Sequence, residues 1–158
     1  MMVDVDNIQV LVNPKITPEQ LFSFYERNNI CEAELGKDVV FRVLSHSTLV
    51  IGAFEDAKLV GITRVMFDGL SAAIMEFSLE LEYQGKHLKY SNGSLIEKDL
   101  SGLGEKIAKV LFDELAKLGA TFVSDYIVEN CEEAFYRSIG FVHNKSHLVY
   151  IVDKRPYI

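Results

Sequence analysis

In the first half of the chain, short runs with the apolar spacing of a strand alternate with runs that have the apolar spacing of a helix. Residues 7–12 alternate weakly between apolar and polar and predict a strand. Thr17 is placed to cap a helix that starts at Pro18, and Gln20 can close a capping box with Thr17. Residues 35–44 predict a second helix, although their β-branched valines weaken that preference.

Three apolar runs joined by tight turns predict an antiparallel meander. The runs cover residues 48–54, 58–67 and 71–82, and Asp68-Gly69 supplies the second turn. Between residues 86 and 97, an Asn-Gly pair is typical of the tip of an inserted hairpin.

The clearest helix is predicted near residues 104–119, where five apolar residues share one face and Gly119 ends the repeat. These residues are Ile107, Val110, Leu111, Leu115 and Leu118. The remaining chain predicts a buried strand, a short helix and two closing strands, at residues 121–128, 131–138, 141–143 and 148–153.

This order of elements predicts one domain over residues 1–158, of the α/β (α+β mixed-sheet) class. A helix that joins two strands normally makes them a parallel pair. The strand that ends near Glu82 should therefore lie parallel to residues 121–128, in a mixed sheet with helices on both faces.

The formal net charge of −7 argues against nucleic-acid binding, which needs a basic surface. It is compatible with a cationic substrate such as an amine. We expect no secretory signal and no membrane span, because no apolar run approaches the ~18 residues that a span needs. Cys31 and Cys131 form no metal-type pair, and two free thiols in the cytoplasm are the simpler interpretation.

A glycine-rich stretch opens the 104–119 helix, and it has two interpretations. Gly102 and Gly104 let backbone N–H groups point into a concavity at a helix N-terminus, which suits a phosphate or diphosphate. Alternatively, Ser101 simply caps a glycine-rich helix start.

Residues 134–141 place an aromatic pair before a glycine and a strand. Phe135 and Phe141 are either core residues or part of a cleft wall. Tyr136 is either an amphipathic filler or a phenol that gives a proton to a leaving thiolate, because its ordinary pKa of ~10 is near that of a thiol.

The third feature is an acidic strand. Glu76, Ser78, Glu80 and Glu82 should share one face, opposite the apolar residues between them. That face is either a solvated surface or the source of a base that takes a proton from an ammonium group.

Together these features resemble the GNAT superfamily of acetyl-CoA-dependent N-acetyltransferases, over residues 48–153. The Gly-x-Gly before the long helix is similar to the family's phosphate loop. The Phe135-Tyr136 pair followed by Gly140-Phe141 is similar to its later block, and residues 149–153 are similar to its last strand.

The resemblance implies direct acetyl transfer from bound acetyl-CoA to a primary amine, without a metal. Tyr136 would be the general acid, with Glu76 and then Glu80 as the expected base. Backbone groups at Leu79 and Leu81 would pair with the pantetheine arm, and residues 101–106 would hold the diphosphate. Asn130 and Phe135 would complete the cofactor site. The expected cofactor residues are Leu79, Leu81, Ser101, Gly102, Leu103, Gly104, Glu105, Lys106, Asn130 and Phe135.

The chain departs from the family pattern at several positions. Asp99 stands where Gln or Arg is usual, and His87 and Lys89 replace the glycines after an earlier loop-like stretch. An insertion near residues 85–98 separates that stretch from the loop. Asn130 lies about one residue too close to Tyr136, and it also makes a local capping box with Glu133.

These departures leave other functions open. One is a catalytically silent sensor of the same fold that binds acyl-CoA, and another is an α/β interaction domain. The amine, either a small molecule or a peptide, is not identified by any motif. A homodimer through the C-terminal strands is common in similar proteins, and the sequence itself leaves the oligomeric state open.

Overall fold

The structure, a computed structural model, describes residues 4–155. Its strands and α-helices are β1 (Gln9–Val12), α1 (Pro18–Arg27), α2 (Lys37–His46), β2 (Leu49–Glu55), β3 (Lys58–Phe67), β4 (Ser71–Leu79), α3 (Leu81–Gln84), α4 (Leu103–Leu118), β5 (Phe122–Ser124) and α5 (Glu133–Ser138). Short 3₁₀ helices cover Val5–Asn7 and Cys31–Leu35.

The strands form one mixed sheet in the order β1-β2-β3-β4-β5. The first four strands pair antiparallel, and β4 pairs parallel with β5 through α4, which confirms the predicted crossover. The parallel pairing spans only Ser71 with Phe122 through Ala73 with Ser124. The rest of β4 continues without β5 beside it.

The helix ends follow from local chemistry. The Thr17 side chain accepts from the Gln20 amide, and the Gln20 side chain binds the Thr17 backbone, so the predicted capping box is present. Gly119 ends α4 in the left-handed conformation at φ +81°, which costs glycine little.

Two separate apolar cores cover opposite faces of the sheet, as the mixed α/β class predicts. Ile51 of β2 packs in the core that includes Ile107 of α4. Its neighbour Val50 packs in the core that includes Leu21 and Phe24 of α1. Adjacent strand residues point to opposite faces, so α1 and α4 lie on different sides of the sheet.

Several predicted strands are shorter or absent in residues 4–155. β4 ends at Leu79, because residues 81–84 turn into α3, and the strand at 121–128 is reduced to β5. Residues 86–97 contain no strand: the Asn92 side chain accepts from the Ser94 amide and makes a turn rather than a hairpin tip. Residues 141–143 and 148–153 are not strands either, because no neighbouring strand pairs with them.

Within residues 4–155, no helix is long and apolar enough to cross a membrane. Cys31 and Cys131 are free thiols.

Candidate active site

The candidate site lies where β4 and β5 stop pairing. Beyond Ala73 and Ser124, the two strands no longer exchange backbone hydrogen bonds. Phe77 of β4 and Tyr136 of α5 meet there edge to face, with ring centroids 6.3 Å apart. Since α/β proteins gather ligands at the carboxyl ends of parallel strands, this is the place to look for chemistry.

Asp125 follows β5 directly and faces Tyr136. The Oδ2 atom of Asp125 is buried and has no hydrogen-bond partner among the described residues. Burial raises the pKa of Asp125 to about 7; the adjacent Tyr136 hydroxyl lowers it, and the Glu132 carboxylate raises it further. The carboxyl therefore titrates near neutral pH, as a general base requires.

Tyr136 is buried beside this carboxyl, in the aromatic core. Burial, and then the charge of Asp125, raise the pKa of Tyr136 well above its ordinary value of 10.0. Its hydroxyl therefore keeps its proton at neutral pH. Tyr136 was predicted as a site residue, whereas Asp125 was missed. The available signal for Asp125 was its position as an acid at the carboxyl end of an apolar strand.

Glu76, the first base expected from sequence, lies on the other face of the sheet. Its Oε1 atom accepts from the Tyr25 hydroxyl at 2.5 Å and from Arg64 Nε at 2.7 Å. Its Oε2 atom accepts from the Ser78 hydroxyl at 2.6 Å. Because its neighbour Phe77 points to Tyr136, Glu76 points away from it.

Glu80, the second expected base, is held in the same way. Arg27 donates to both of its oxygens, through Nε at 2.6 Å and Nη2 at 2.9 Å. The Asn28 side chain adds a third bond at 3.0 Å. The Glu76 and Glu80 side chains are each only 6% exposed, so this part of the predicted acidic face is buried beneath α1 instead of solvated. Glu82 does not share that face, because it lies in α3, where its side chain is 61% exposed. The structure thus separates Glu76 and Glu80 from Tyr136.

The N-terminus of α4, predicted to hold a diphosphate, is occupied by the chain itself. Asp99 Oδ1 accepts from the Gly104 amide at 2.8 Å, and Oδ2 accepts from the Glu105 amide at 2.9 Å. Ser101 Oγ accepts from the Leu103 amide, but the N-cap residue of α4 is Gly102 and not Ser101. Burial raises the pKa of Asp99, although the two amides oppose the shift.

The other residues expected around the loop have structural contacts. The Lys106 amide donates to the Gly102 carbonyl, within the first turn, and its Nζ atom donates to the carbonyls of Val5 and Ile8 at 2.7 Å each. A Cβ atom at Gly104 would lie 2.6 Å from a ring carbon of Phe135, so glycine there permits α4 to pack on α5.

Phe135 is itself a core residue, only 3% exposed. Asn130 is exposed, and its amide donates to Glu133 Oε1 at 2.9 Å, which is one of the two bonds of the predicted capping box. The N-cap of α5 is Glu132 instead, without a side-chain cap bond.

The inserted segment, residues 85–98, occupies the place expected for the pantetheine arm. The Leu79 amide donates to the Gly93 carbonyl at 2.9 Å, and the Leu81 amide donates to Asn28 Oδ1 at 2.8 Å. The Gly93 amide donates to the Asn28 carbonyl at 2.8 Å. A Cβ atom at Gly93 would lie 2.8 Å from the Leu79 carbonyl oxygen, so only glycine fits this position closely.

These contacts test whether the site fits acetyl-CoA. The Gly104 and Glu105 amides already bind an anionic oxygen pair, so their geometry suits a phosphate. In this conformation, however, Asp99 and Gly93 hold the donors that the resemblance assigns to the diphosphate and the pantetheine arm. Acetyl-CoA can use these donors only after both residues move away.

No protein-family model and no curated protein sequence matches the chain. Solved structures do match. The chain is similar to a probable acetyltransferase from meticillin-resistant Staphylococcus aureus, with a TM-score of 0.67 and 15% identity over 92% of this chain and 99% of that one. It is also similar to a GNAT-family acetyltransferase from Streptococcus pneumoniae TIGR4, with a TM-score of 0.65 and 18% identity over 94% and 99%.

A third similar structure is a ribosomal-protein-alanine N-acetyltransferase from Brucella melitensis biovar Abortus 2308. Its TM-score is 0.62, with 14% identity over 92% of this chain and 99% of that one. At these identities the comparison establishes the fold alone, and it is the fold that the resemblance implied. The chain therefore has the fold of the GNAT acetyltransferases.

Proposed function

We propose that the chain is an N-acetyltransferase that transfers acetyl from acetyl-CoA to a primary amine, with its proton chemistry at Asp125 and Tyr136. The observation that carries this proposal is the buried, unpartnered Oδ2 atom of Asp125 at the carboxyl end of β5, beside Tyr136, in a GNAT fold. Neither Glu76 nor Glu80 has this combination of contact and unused hydrogen-bonding capacity.

Asp125 is the proposed base. A primary amine with a pKa near 10 is mostly protonated at pH 7, and freeing it costs about 4 kcal/mol. A carboxylate with a pKa of about 7 can accept that proton at Oδ2 while it is itself still partly ionised. Asp125 therefore takes the role of general base that was expected for Glu76 or Glu80.

Tyr136 is the proposed acid of the pair. When the amine nitrogen forms the amide bond and the carbon–sulfur bond of the thioester breaks, the phenol would give its proton to the departing thiolate and would regain a proton from Asp125. The raised pKa of Tyr136 keeps the proton on the phenol oxygen, next to the carboxyl that receives the proton of the amine. Acetyl-CoA, when bound, supplies the acetyl group as a thioester. The amides of Gly104 and Glu105 would hold its diphosphate once Asp99 has left them.

The proposed substrate is a primary amine of a small molecule or of a peptide. The Brucella structure, at 14% identity, is named a ribosomal-protein-alanine N-acetyltransferase. The net charge of −7 favours a cationic substrate of any size.

A second candidate function is a catalytically silent member of the same fold. Two contacts favour it: Asp99 accepts from the Gly104 amide of α4, and the Gly93 carbonyl accepts from the Leu79 amide. Both hydrogen bonds must break before acetyl-CoA can bind in the expected way. An α/β interaction domain that does not bind acyl-CoA is a separate, third candidate.

Calorimetry with acetyl-CoA, together with thiol release over an amine panel, separates these functions. If the proposal is right, the protein binds acetyl-CoA and releases thiol with at least one amine. Asp125→Asn should abolish this thiol release and leave the binding of acetyl-CoA intact. Glu129→Gln, on the exposed surface, is the control and should change neither. Binding without release on any amine would support the silent sensor, and absence of binding would support the interaction domain.

A further inference from the structure

The Glu132 side chain is a buried carboxylate that the proposed proton chemistry does not use. Glu132 is only 4% exposed, and burial raises the pKa of its carboxyl against the effect of two backbone amides. It is the N-cap of α5 and lies one helical turn before Tyr136, whose amide donates to the Glu132 carbonyl at 3.1 Å. Charged residues are almost never fully buried without partners, so the contacts of Glu132 indicate what it holds in place.

The two oxygens of Glu132 join two separate segments of the chain. Oε2 accepts from the Val128 amide at 2.9 Å, in the stretch that connects Asp125 to α5. Oε1 accepts from the Ile96 amide at 3.2 Å, in the inserted segment, 36 residues away in sequence. One carboxylate therefore ties both segments to the start of α5.

Ile96 anchors the inserted segment at this point. Its side chain is 0% exposed and packs in the same core as Tyr136. The amide of the next residue, Glu97, donates to Gln84 Oε1 at 3.3 Å. The inserted segment therefore forms a wall beside α5, and Glu132 bonds this wall to the chain that follows β5.

The charge of Glu132 acts on both members of the proposed acid–base pair. Burial is the main cause of the raised pKa of Asp125, and the Glu132 carboxylate raises this pKa further. Burial and then the charge of Asp125 raise the pKa of Tyr136, and Glu132 adds to that shift. The side chains that act on the Asp125 carboxyl are thus the Tyr136 hydroxyl, which lowers its pKa, and the Glu132 carboxylate, which raises it.

The inserted segment brings two further charged groups to this region. Burial raises the pKa of the Cys131 thiol to about 11, the Glu97 and Glu132 carboxylates raise it further, and Lys89 lowers it. Because Glu97 and Lys89 have opposite charges, their effects oppose each other. The charge of Glu132 is the one that reaches Asp125.

We propose that Glu132 is a positioning residue: it holds the inserted segment and the chain after β5 against α5, and thereby fixes the Asp125 carboxyl beside Tyr136. This inference rests on the proposed function, and it gives the inserted segment the role of a wall that supports the acid–base pair. Without the carboxylate, two backbone amides lose their acceptor and the chain that carries Asp125 can shift. A displacement of about 1 Å at a reacting group can cost about 10²-fold in rate.

The ionisation of Asp125, followed by carbon NMR of its carboxyl group, tests the inference without any activity measurement. In Glu132→Gln the midpoint should fall below the wild-type value of about 7, because a neighbouring negative charge is removed. Glu133→Gln is the matched control, because Glu133 is the adjacent residue and also accepts from a backbone amide, that of Asn130 at 2.9 Å. This control should leave the midpoint unchanged.

Turnover separates positioning from charge. At about pH 9, where Asp125 is ionised in every variant, Glu132→Gln should lower turnover by up to about 10²-fold and leave the affinity for acetyl-CoA unchanged. Glu132→Asp keeps the charge, but its shorter side chain cannot reach both amides. It should therefore keep the Asp125 midpoint near the wild-type value and still lose turnover.

The wild type itself decides the matter if Glu132→Gln folds poorly. The amide-proton shifts of Ile96 and Val128 should follow one common midpoint, above the ordinary glutamate pKa of 4.5, because one carboxylate binds both amides. Separate midpoints, or amides that do not respond to pH, would overturn the inference.

Two further outcomes would also overturn it. One is wild-type turnover in both Glu132 variants, which would leave the proposed acetyl transfer standing. The other is a loss of turnover in Glu132→Gln without a shift of the Asp125 midpoint, because Glu132 would then support the fold alone. Absence of thiol release from the wild type counts against the proposed function instead, and the NMR titrations remain readable in that case.

Discussion

The carboxylates on the two sides of the sheet near β4 differ in their hydrogen-bond partners. Beneath α1, Glu76 and Glu80 are buried with their oxygens bound by arginines and by neutral donors. Beside α5, Asp125 is half-buried, and its buried Oδ2 atom accepts nothing from the described residues. A carboxylate whose bonds are satisfied by the fold is a structural group, whereas an unsatisfied one near neutral pKa has the capacity for chemistry.

Asp125→Asn should give the largest effect, because it removes the only member of this comparison with an unused oxygen. If Asp125 is the base, turnover should fall by about 10²–10⁴-fold with little change in the Michaelis constant for the amine. The wild-type rate should also rise with pH through about 7, where Asp125 ionises.

A matched variant on the other face of the sheet, Glu76→Gln, tests whether the loss of turnover is specific to Asp125. Glu76→Gln keeps the shape of its side chain and should retain turnover in the molecules that remain folded. A larger loss of turnover in Glu76→Gln than in Asp125→Asn would reverse the assignment of the base.

Arg27→Ala should have the largest effect on stability. It leaves the Glu80 carboxylate, only 6% exposed, without its bidentate partner. Because Arg27 itself is partly exposed, we expect a loss near the lower end of what breaking a buried pair costs, about 3 kcal/mol of unfolding free energy. Urea denaturation measures this loss.

The double variant Arg27→Ala/Glu80→Gln tests the cause of that loss. Removing the unpaired charge should restore part of the stability. Equal free energies for the single and double variants would mean that Arg27 acts through packing instead of charge.

Asp99→Ala tests a half-buried carboxylate that is satisfied by amides rather than by arginines. Loss of the cap should cost about 1 kcal/mol of unfolding free energy. If the amides of Gly104 and Glu105 are a diphosphate site blocked by Asp99, the affinity for CoA should rise about tenfold, which corresponds to about 1.4 kcal/mol.

Asp99→Asn separates the two effects of Asp99→Ala. It keeps an oxygen that can cap an amide and removes only the negative charge, so it should gain affinity with a smaller loss of stability. Unchanged affinity for CoA in both variants would mean that α4 does not bind the diphosphate.

The sequence predicted those features that depend on neighbouring residues. The capping box at Thr17, the turn at Asp68-Gly69 and the extent of α4 are local, and the parallel crossover follows from α4 itself. The proposed base, Asp125, could not be predicted, because the choice among the carboxylates depends on which face of the sheet α1 covers. Alternation placed Glu76 and Glu80 on one face correctly, yet only the packing of Tyr25 and Arg27 of α1 shows that this face is closed.

The inserted segment shows the same limit at longer range. Asn92-Gly93 predicted a turn, and a turn is present, but the flanking residues do not pair as strands. Gly93 lies instead between the Asn28 carbonyl and the Leu79 amide, which are contacts of 65 and 14 residues in sequence separation. No local pattern contains such a contact.

The smallest expected effect is a pH dependence of stability, and it tests Asp125 without any substrate. The folded-state pKa of Asp125, about 7, exceeds its ordinary value of 3.8. The folded protein therefore retains this proton at pH values where the unfolded chain has lost it. The stability from this group is fully present below about pH 4 and is lost as the pH rises through about 7.

Asp125→Asn cannot ionise, so it should lose less stability than the wild type between pH 5 and pH 8. The unfolding temperature of each protein is measured at pH 5 and at pH 8. Its drop between the two pH values should be a few degrees larger for the wild type than for Asp125→Asn. Asp99 and Glu132 also have raised pKa values, so each protein is compared with itself at the two pH values and only the difference is assigned to Asp125. Parallel pH profiles for the two proteins would mean that Asp125 is solvated and ordinary, and the distinction between the two faces of β4 would then rest on hydrogen-bond geometry alone.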